Sequence, residues 1–289
     1  MTRVLLVGHH QRAEAAALAQ ATATWLSERG HHVWMADSDA DALGLGSLAG
    51  PDDPASSELL ISLGGDGTML RAVQLLDGAA VPIIGVNVGL LGYLAEVEPE
   101  GLVPALERFF AGPERDRGDW EIEERMMLDA TVEPSGGGAR RHWRALNEGV
   151  LEREEPGHTV RLLVRIDGAP FTSYAADGLI VATPTGSTAY SLSARGPVVS
   201  PRHRALLLTP VSPHTLFDRS LVLDPDESIE MEVIGHRPVV LSVDGQRAMQ
   251  LHEGDVARFT ASACTARFVR FGRRRFHQIL KAKFGLADR

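Results

Sequence analysis

Residues 58–71 read ELLISLGGDGTMLR, and this stretch constrains the fold more than any other part of the chain. Its run of Leu and Ile predicts a buried strand, and residues 68–76 predict a helix. Between them Gly64, Gly65 and Gly67 surround a single carboxylate, Asp66. A strand, a glycine turn and a helix together present backbone N–H groups and a positive helix end to phosphate. Glycine also lets the backbone approach a ligand where a side chain would collide. The spacing is not GxGxxG, so the dinucleotide fingerprint does not apply. Nor is there a Walker-type lysine: the chain holds two lysines, Lys281 and Lys283, near its C-terminus. Phosphate chemistry near Asp66 therefore falls to backbone amides, arginine and a metal ion. The competing reading is a tight β–α turn with an Asp helix cap.

The flanking pattern extends this unit. Residues 3–7 read as a strand. Residues 11–29 read as a helix, with Leu18, Thr22, Trp25 and Leu26 on one face and Gly30 as its stop. A strand over 33–36, a loop over 37–57, a strand over 81–86 and a helix over 99–110 follow. Alternating strands and helices predict a parallel sheet covered by helices. Such a sheet binds ligands at the carboxyl ends of its strands, where residues 64–67 and 87–92 fall.

The pattern changes at residues 112–118. A strand over 121–132 and a glycine-rich turn over 134–138 lead into strand-like runs at 145–151, 160–166, 178–182, 206–209, 228–234, 239–243, 256–261 and 266–271. Asp167-Gly168 and Asp244-Gly245 supply hairpin turns. These runs predict an all-β second domain, a sandwich. The expected division is an α/β domain over 1–118, joined by a C-terminal helix within 272–289, and an all-β domain over 119–271.

Charge and cysteine narrow the function classes. A net charge of −9 argues against general binding to nucleic acid or an anionic membrane. The lone Cys264 excludes an intrachain disulfide framework and a cysteine zinc site. The apolar run of the first strand is too short for a signal peptide or a membrane span, so a cytoplasmic protein is expected.

Three further stretches carry chemistry. NVGLLGYL, residues 87–94, is a second glycine turn after a strand. Asn147 and Glu148 are adjacent polar residues inside an apolar run, which costs free energy unless both are bonded. DGLIVATPTGSTAYSLS, residues 177–193, ends a strand in Thr-Pro-Thr-Gly and opens a hydroxyl-rich helix start. Ser187 and Thr188 can cap that helix. The five Ser and Thr residues of 185–193, with Tyr190, exceed what capping needs and suit a ribose, an adenine edge or phosphate.

In this order GGDGTML, NVGLLGYL, NE and DGLIVATPTGSTAYSLSARGP resemble the NAD kinase family over residues 58–197, with weaker echoes in PVSPHTL, DGQ and the basic final helix. GGDGT alone is shared with lipid kinases of the diacylglycerol kinase type. The TPTGSTAYSLS run is the specific part. The resemblance implies the same two-domain fold and a defined reaction. ATP or polyphosphate would donate a phosphoryl group, with Mg²⁺, to the 2′-hydroxyl of the adenosine ribose of NAD. A ribose hydroxyl is a weak nucleophile and needs a base, for which Asp66 is the candidate. Charge on the transferring group would spread over backbone N–H groups and Mg²⁺. Mg²⁺ takes few protein carboxylates, so no dedicated ligand set is expected in the sequence.

By the same resemblance Asn147 and Glu148 hold NAD, and Asp177 with Thr188, Ala189, Tyr190, Ser191, Leu192 and Ser193 lines that pocket. Arg71 is a phosphate candidate or a solvated helix residue. His158 is a ligand-side basic residue or a surface histidine, and Gln246 is a weaker candidate beside a hairpin turn. A homodimer or homotetramer is implied. Arg195 stands where the family has Gly in SAGGP, Ser212 where Cys is common and Tyr93 where Phe is common. The basic residues Arg267, Arg270, Arg273, Arg274, Arg275, Lys281 and Lys283 read as a solvated face or subunit contact. The alternative functions are a lipid kinase sharing the GGDGT core, with a hydrophobic acceptor site, and a non-catalytic NAD-binding protein.

Overall fold

The computed structural model describes residues 1–50, 53–89, 92–116, 118–155, 157–272 and 276–286. The chain divides into two compact units, residues 1–124 with 266–289, and residues 125–265. No helix among the described residues is long and apolar enough to cross a membrane.

The first unit is built from β1 (Arg3–Gly8), α1 (Ala13–Ser27), β2 (His32–Trp34), α2 (Asp37–Leu43), β3 (Leu59–Gly64), α3 (Asp66–Leu76), β4 (Pro82–Asn87) and α4 (Leu102–Ala111). Its strands run parallel in the order β2-β1-β3-β4. Every residue of β3 is buried, as the centre of a covered parallel sheet requires. Leu6, Ile61 and Val86 from three strands pack with Ala19, Leu26, Ala105 and Leu106 from α1 and α4. The parallel α/β expectation holds, with one correction. Residues 37–57 are not a loop: they contain α2 and two short 3-10 turns, Gly46–Leu48 and Pro54–Ser56. The sequence DSDADAL looks like loop composition, yet Gly44 closes the helix in a left-handed conformation, φ 68°. Asp39 is buried there against His10 and Arg71.

The second unit takes most of β5 (Glu121–Glu133), then β6 (Arg141–Ala145), β7 (Glu148–Arg153), β8 (Val160–Ile166), β9 (Ala169–Ala176), β10 (Gly178–Ala182), the four-residue α5 (Tyr190–Ser193), β11 (Leu206–Val211), β12 (Leu221–Leu223), β13 (Ile229–Val233), β14 (Val239–Val243), β15 (Gln246–Leu251) and most of β16 (Val256–Arg270). One antiparallel sheet runs β12-β11-β10-β7-β14-β15. The other carries β9-β8-β13-β16 antiparallel, with β5 on β16 and β6 on β5. Leu162, Met231 and Phe259 from one sheet meet Leu151, Leu179, Val181 and Leu241 from the other, the core of a sandwich.

Three runs differ from the expectation in this unit. Residues 145–151 are not one strand, because the chain breaks at Leu146 and Asn147 between β6 and β7. Residues 256–261 and 266–271 belong to a single strand of 15 residues, β16, whose small and polar middle hides its continuity. The edge strands β9, β12 and β15 carry no clear apolar alternation and were not expected. The end of β16 pairs in parallel with β4 within the first unit, Arg267 with Pro82 and Phe268 with Ile83. The last helix, α6 (Phe276–Phe284), is part of that same unit.

Candidate functional site

In the first unit β3 delivers the chain into α3 through the expected glycine turn. A Cβ on Gly64 would lie 2.2 Å from Thr68 Oγ1, so this strand-to-helix approach admits only glycine. A Cβ on Gly65 or Gly67 would meet nothing within 4 Å, which leaves room beside the first turn of α3. The Thr68 and Met69 N–H groups bond the Gly65 carbonyl at 3.0 and 3.1 Å, while those of Asp66 and Gly67 take no partner among the described residues and suit an anion. Asp66 begins α3, two residues earlier than the periodicity predicts, and is half-buried. Its Oδ2 accepts the N–H of Tyr93 at 2.9 Å and its Oδ1 that of Leu94 at 3.0 Å. A Cβ on Gly92 would lie 2.3 Å from Oδ1, so the second glycine turn is shaped to the carboxylate of the first. Asn87, at the start of that turn, is buried with its Oδ1 unpartnered. Leu90 and Leu91 lie outside the described residues.

The loop over 92–94 is held from the chain's other end as well. Arg270 Nη1 donates to the Leu94 carbonyl at 2.9 Å, and Lys283 Nζ sits 4.3 Å from the Tyr93 ring centroid. Arg270 is 9% exposed and pairs with Glu123 at 2.6 Å, while Arg267 donates to the Ala80 carbonyl at 3.0 Å. These two arginines are therefore ties within the fold and not a solvated face. Arg273, Arg274 and Arg275 lie outside the described residues.

Arg71 is half-buried and engaged within the fold. Its Nη2 donates to the Gly8 carbonyl and, at 3.0 Å, to Asp39, which also pairs with His10 at 2.8 Å. It ties α3 to β1 and α2.

In the second unit the break between β6 and β7 is organised by a residue that sequence reasoning took only as a hairpin turn. Asp244 and Gly245, with φ of 46° and 76°, form the two-residue turn between β14 and β15. The Asp244 carboxylate accepts the N–H of Leu146 at 2.8 Å, Asn147 at 2.8 Å and Glu148 at 3.1 Å. Thr183 fixes the other side of the break: its N–H donates to the Asn147 carbonyl and its Oγ1 to that of Leu146. A Cβ on Gly186 would lie 2.1 Å from the Asn147 oxygen. The Asn147 backbone is thus locked, while its half-buried side-chain amide takes no partner among the described residues.

Glu148 is 6% exposed, with Oε2 unpartnered. Burial, then the charge of Asp244, pushes its pKa up to about 8, against a lowering by the Tyr190 N–H. It holds its proton to a higher pH than an ordinary carboxyl, and in the protonated form it can donate as well as accept. Burial likewise raises the Asp244 pKa, opposed by its three amide donors.

The hydroxyl-rich run is not one helix start. A 3-10 turn, Gly186–Thr188, is followed at Ala189 (ψ −129°) by the short α5. Ser187 bonds Pro184 and Val199, and Ser191 bonds Thr209, so these two hydroxyls serve the fold. Thr188 donates to the Thr185 carbonyl at 3.2 Å. Tyr190 and Ser193 are exposed, and Thr188, Ala189 and Leu192 are half-buried. The Tyr190 hydroxyl pKa is raised by burial first, then by the charges of Glu152, Asp177 and Glu148, with Arg153 opposing. Glu148, Asp177 and Tyr190 therefore share one acidic neighbourhood, in which Arg153 pairs with Asp177 at 3.2 Å. His158 is exposed and connects to this group only through its carbonyl, which accepts from Arg153 at 3.3 Å. Gln246 is exposed at the start of β15, beside the Asp244-Gly245 turn. Among the described residues no cluster of three or more His, Cys, Asp or Glu could hold a metal ion.

Residues 49–114 match the ATP-NAD kinase N-terminal domain family and residues 146–271 the ATP-NAD kinase C-terminal domain family. An NAD kinase of Moorella thermoacetica is 40% identical over 287 residues, 98% of this chain and 89% of that protein. The chain belongs to the NAD kinase family. The fold of this NAD kinase family member is that of solved relatives. A yeast NADH kinase complexed with NADH superposes with a TM-score of 0.88 at 24% identity, over 100% of this chain and 89% of the other. An NAD kinase from Archaeoglobus fulgidus in complex with ATP gives a TM-score of 0.71 at 25% identity, over 99% and 100%. Against the family pattern, Arg195 keeps a glycine-like backbone, with φ of 64°.

Proposed function

We propose that the chain phosphorylates the 2′-hydroxyl of the adenosine ribose of NAD with ATP, giving NADP. The observation that supports this most is the family match, which reaches both units and includes both Asp66 and the Asn147–Glu148 break. Asp66 acts as base toward the ribose hydroxyl: each carboxylate oxygen accepts one backbone N–H and keeps acceptor capacity. The open side of Gly65 and Gly67 and the first turn of α3 receive phosphate. Mg²⁺ fits a site in which phosphate oxygens supply most ligands and Asp66 is the nearby carboxylate; when bound, it neutralises charge on the transferring group. The Asn147 amide and the protonated Glu148 carboxyl hold NAD hydroxyl or base edges, and Tyr190 with Asp177 completes that surface. The reading includes a cytoplasmic homodimer or homotetramer, testable by light scattering on the purified protein.

The test is to incubate the protein with Mg²⁺, NAD and ATP and to measure NADP with an NADP-specific dehydrogenase. NADP formation that stops with EDTA supports the reading. Polyphosphate in place of ATP distinguishes the donor. Phosphate appearing on a diacylglycerol while NAD stays unchanged, or tight NAD binding without turnover, would overturn it.

A further inference from the structure

The turn between β1 and α1 lies at the same carboxyl edge of the first unit's sheet as the glycine turn. The His9 N–H donates to the Leu63 carbonyl at 3.0 Å, and the His9 Cβ lies 3.2 Å from where a Cβ on Gly64 would be. Three residues on, Arg12 Nη1 donates to the Val88 carbonyl at 2.7 Å, and the Val88 N–H donates to the Gly64 carbonyl at 3.3 Å. Arg12 is thereby seated on the strand ends of β1, β3 and β4 together. Its seat is made by glycine: a Cβ on Gly89 would lie 1.8 Å from Arg12 Nη1 and 2.6 Å from Cζ.

The charges around this edge are unequally matched. Arg71 and His10 share Asp39. Arg12 is half-buried and, among the described residues, pairs with no carboxylate. Among the described residues one of its five N–H groups is used, by a neutral carbonyl. A partly desolvated guanidinium without a counter-ion is costly unless an anion completes it. Its planar fork matches phosphate oxygens in pairs, which a lysine does not. Of the chain's two lysines, both in α6, Lys283 rests on the Tyr93 ring at 4.3 Å.

We propose that Arg12 binds the phosphate chain of the phosphoryl donor at the glycine turn of the first unit, held in place by the Val88 carbonyl and by the space at Gly89. The inference rests on the kinase reading above. It is tested with Arg12→Met and Arg12→Lys, measuring KM for ATP and for NAD separately, inhibition by inorganic triphosphate, and Tm. Arg12→Met is expected to raise KM for ATP about 10- to 100-fold, the worth of a charged hydrogen bond. KM for NAD and Tm should stay near the parent values, and triphosphate should no longer compete with ATP. Arg12→Lys should recover part of the ATP affinity. Parallel rises in both KM values, or unchanged triphosphate inhibition in Arg12→Met, would show Arg12 to be only a tie for the Val88 loop. Were the parent protein inactive, the kinase reading would fail by itself. The thermal shift given by triphosphate, present in the parent and absent in Arg12→Met, would still decide the role of Arg12.

Discussion

Asp66 and Asp244 each gather consecutive backbone N–H groups from a distant loop, yet they stand in opposite surroundings. Asp66 is half-buried at a helix start, with one N–H on each oxygen from a loop 27 and 28 residues on. Asp244 is 9% exposed in a hairpin turn and takes three N–H groups from residues 96 to 98 positions earlier. The same bonding pattern therefore serves two ends. At Asp66 it positions a carboxylate whose oxygens each keep acceptor capacity, as the proposed base requires. At Asp244 it uses the carboxylate up and positions its neighbours, the Asn147 amide and the Glu148 carboxyl.

The comparison breaks most sharply at Asp66. Asp66→Asn is expected to lower turnover by ~10²–10⁴-fold, the range for a general base, while the fold survives. NADP formation and Tm measured on the same sample check this, and full activity would remove Asp66 from the mechanism. Asp244→Asn should act the other way round. An amide in its place turns one N–H donor toward another, so stability should fall by ~1–3 kcal/mol and KM for NAD should rise. Denaturant melts read the first and kinetics the second. A normal Tm with lost kcat would put Asp244 among the reacting groups.

Much of this contrast is invisible in the sequence. The strand, glycine turn and helix around Asp66 are contiguous, so local pattern suffices to find them. The Asp244 contacts join residues nearly a hundred positions apart, and Asp-Gly between two apolar runs signals a turn first. The α2 helix was hidden because its Asp and Ser residues favour loops in isolation; the packing of Asp39 on Arg71 and His10 overrides that preference. Strand β9 was hidden because its exposed, mixed residues lie at a sheet edge. The tie from Arg71 to Asp39 is hidden because the two residues stand 32 positions apart.

A smaller effect separates the two carboxylates by pH. Glu148, beside Asp244, has its pKa raised from 4.5 to about 8 by burial and by that neighbour. The folded state then binds a proton that the unfolded chain has released. Its contribution to stability is full below pH 4.5 and is lost as the pH rises toward about 8. The slope stays under the ~1.4 kcal/mol per pH unit that one proton represents. Glu148→Gln should flatten this slope in melts taken from pH 5 to 9, and an unchanged slope would assign it elsewhere. The smallest change is expected at Arg195, an exposed residue with φ of 64°. Releasing a left-handed arginine recovers ~1–2 kcal/mol, against ~0.5–1 kcal/mol of added chain entropy for glycine. Arg195→Gly should therefore raise stability by about 0.5 kcal/mol, and a fall in Tm would show that the arginine side chain stabilises the turn.

Lys283 rests on the ring of Tyr93, whose N–H holds Asp66. Helix α6 is thus mechanically tied to the loop that holds the Asp66 carboxylate. Trimming helix α6 or acylating Lys283 is therefore expected to loosen the N–H contacts of Asp66 without touching a substrate.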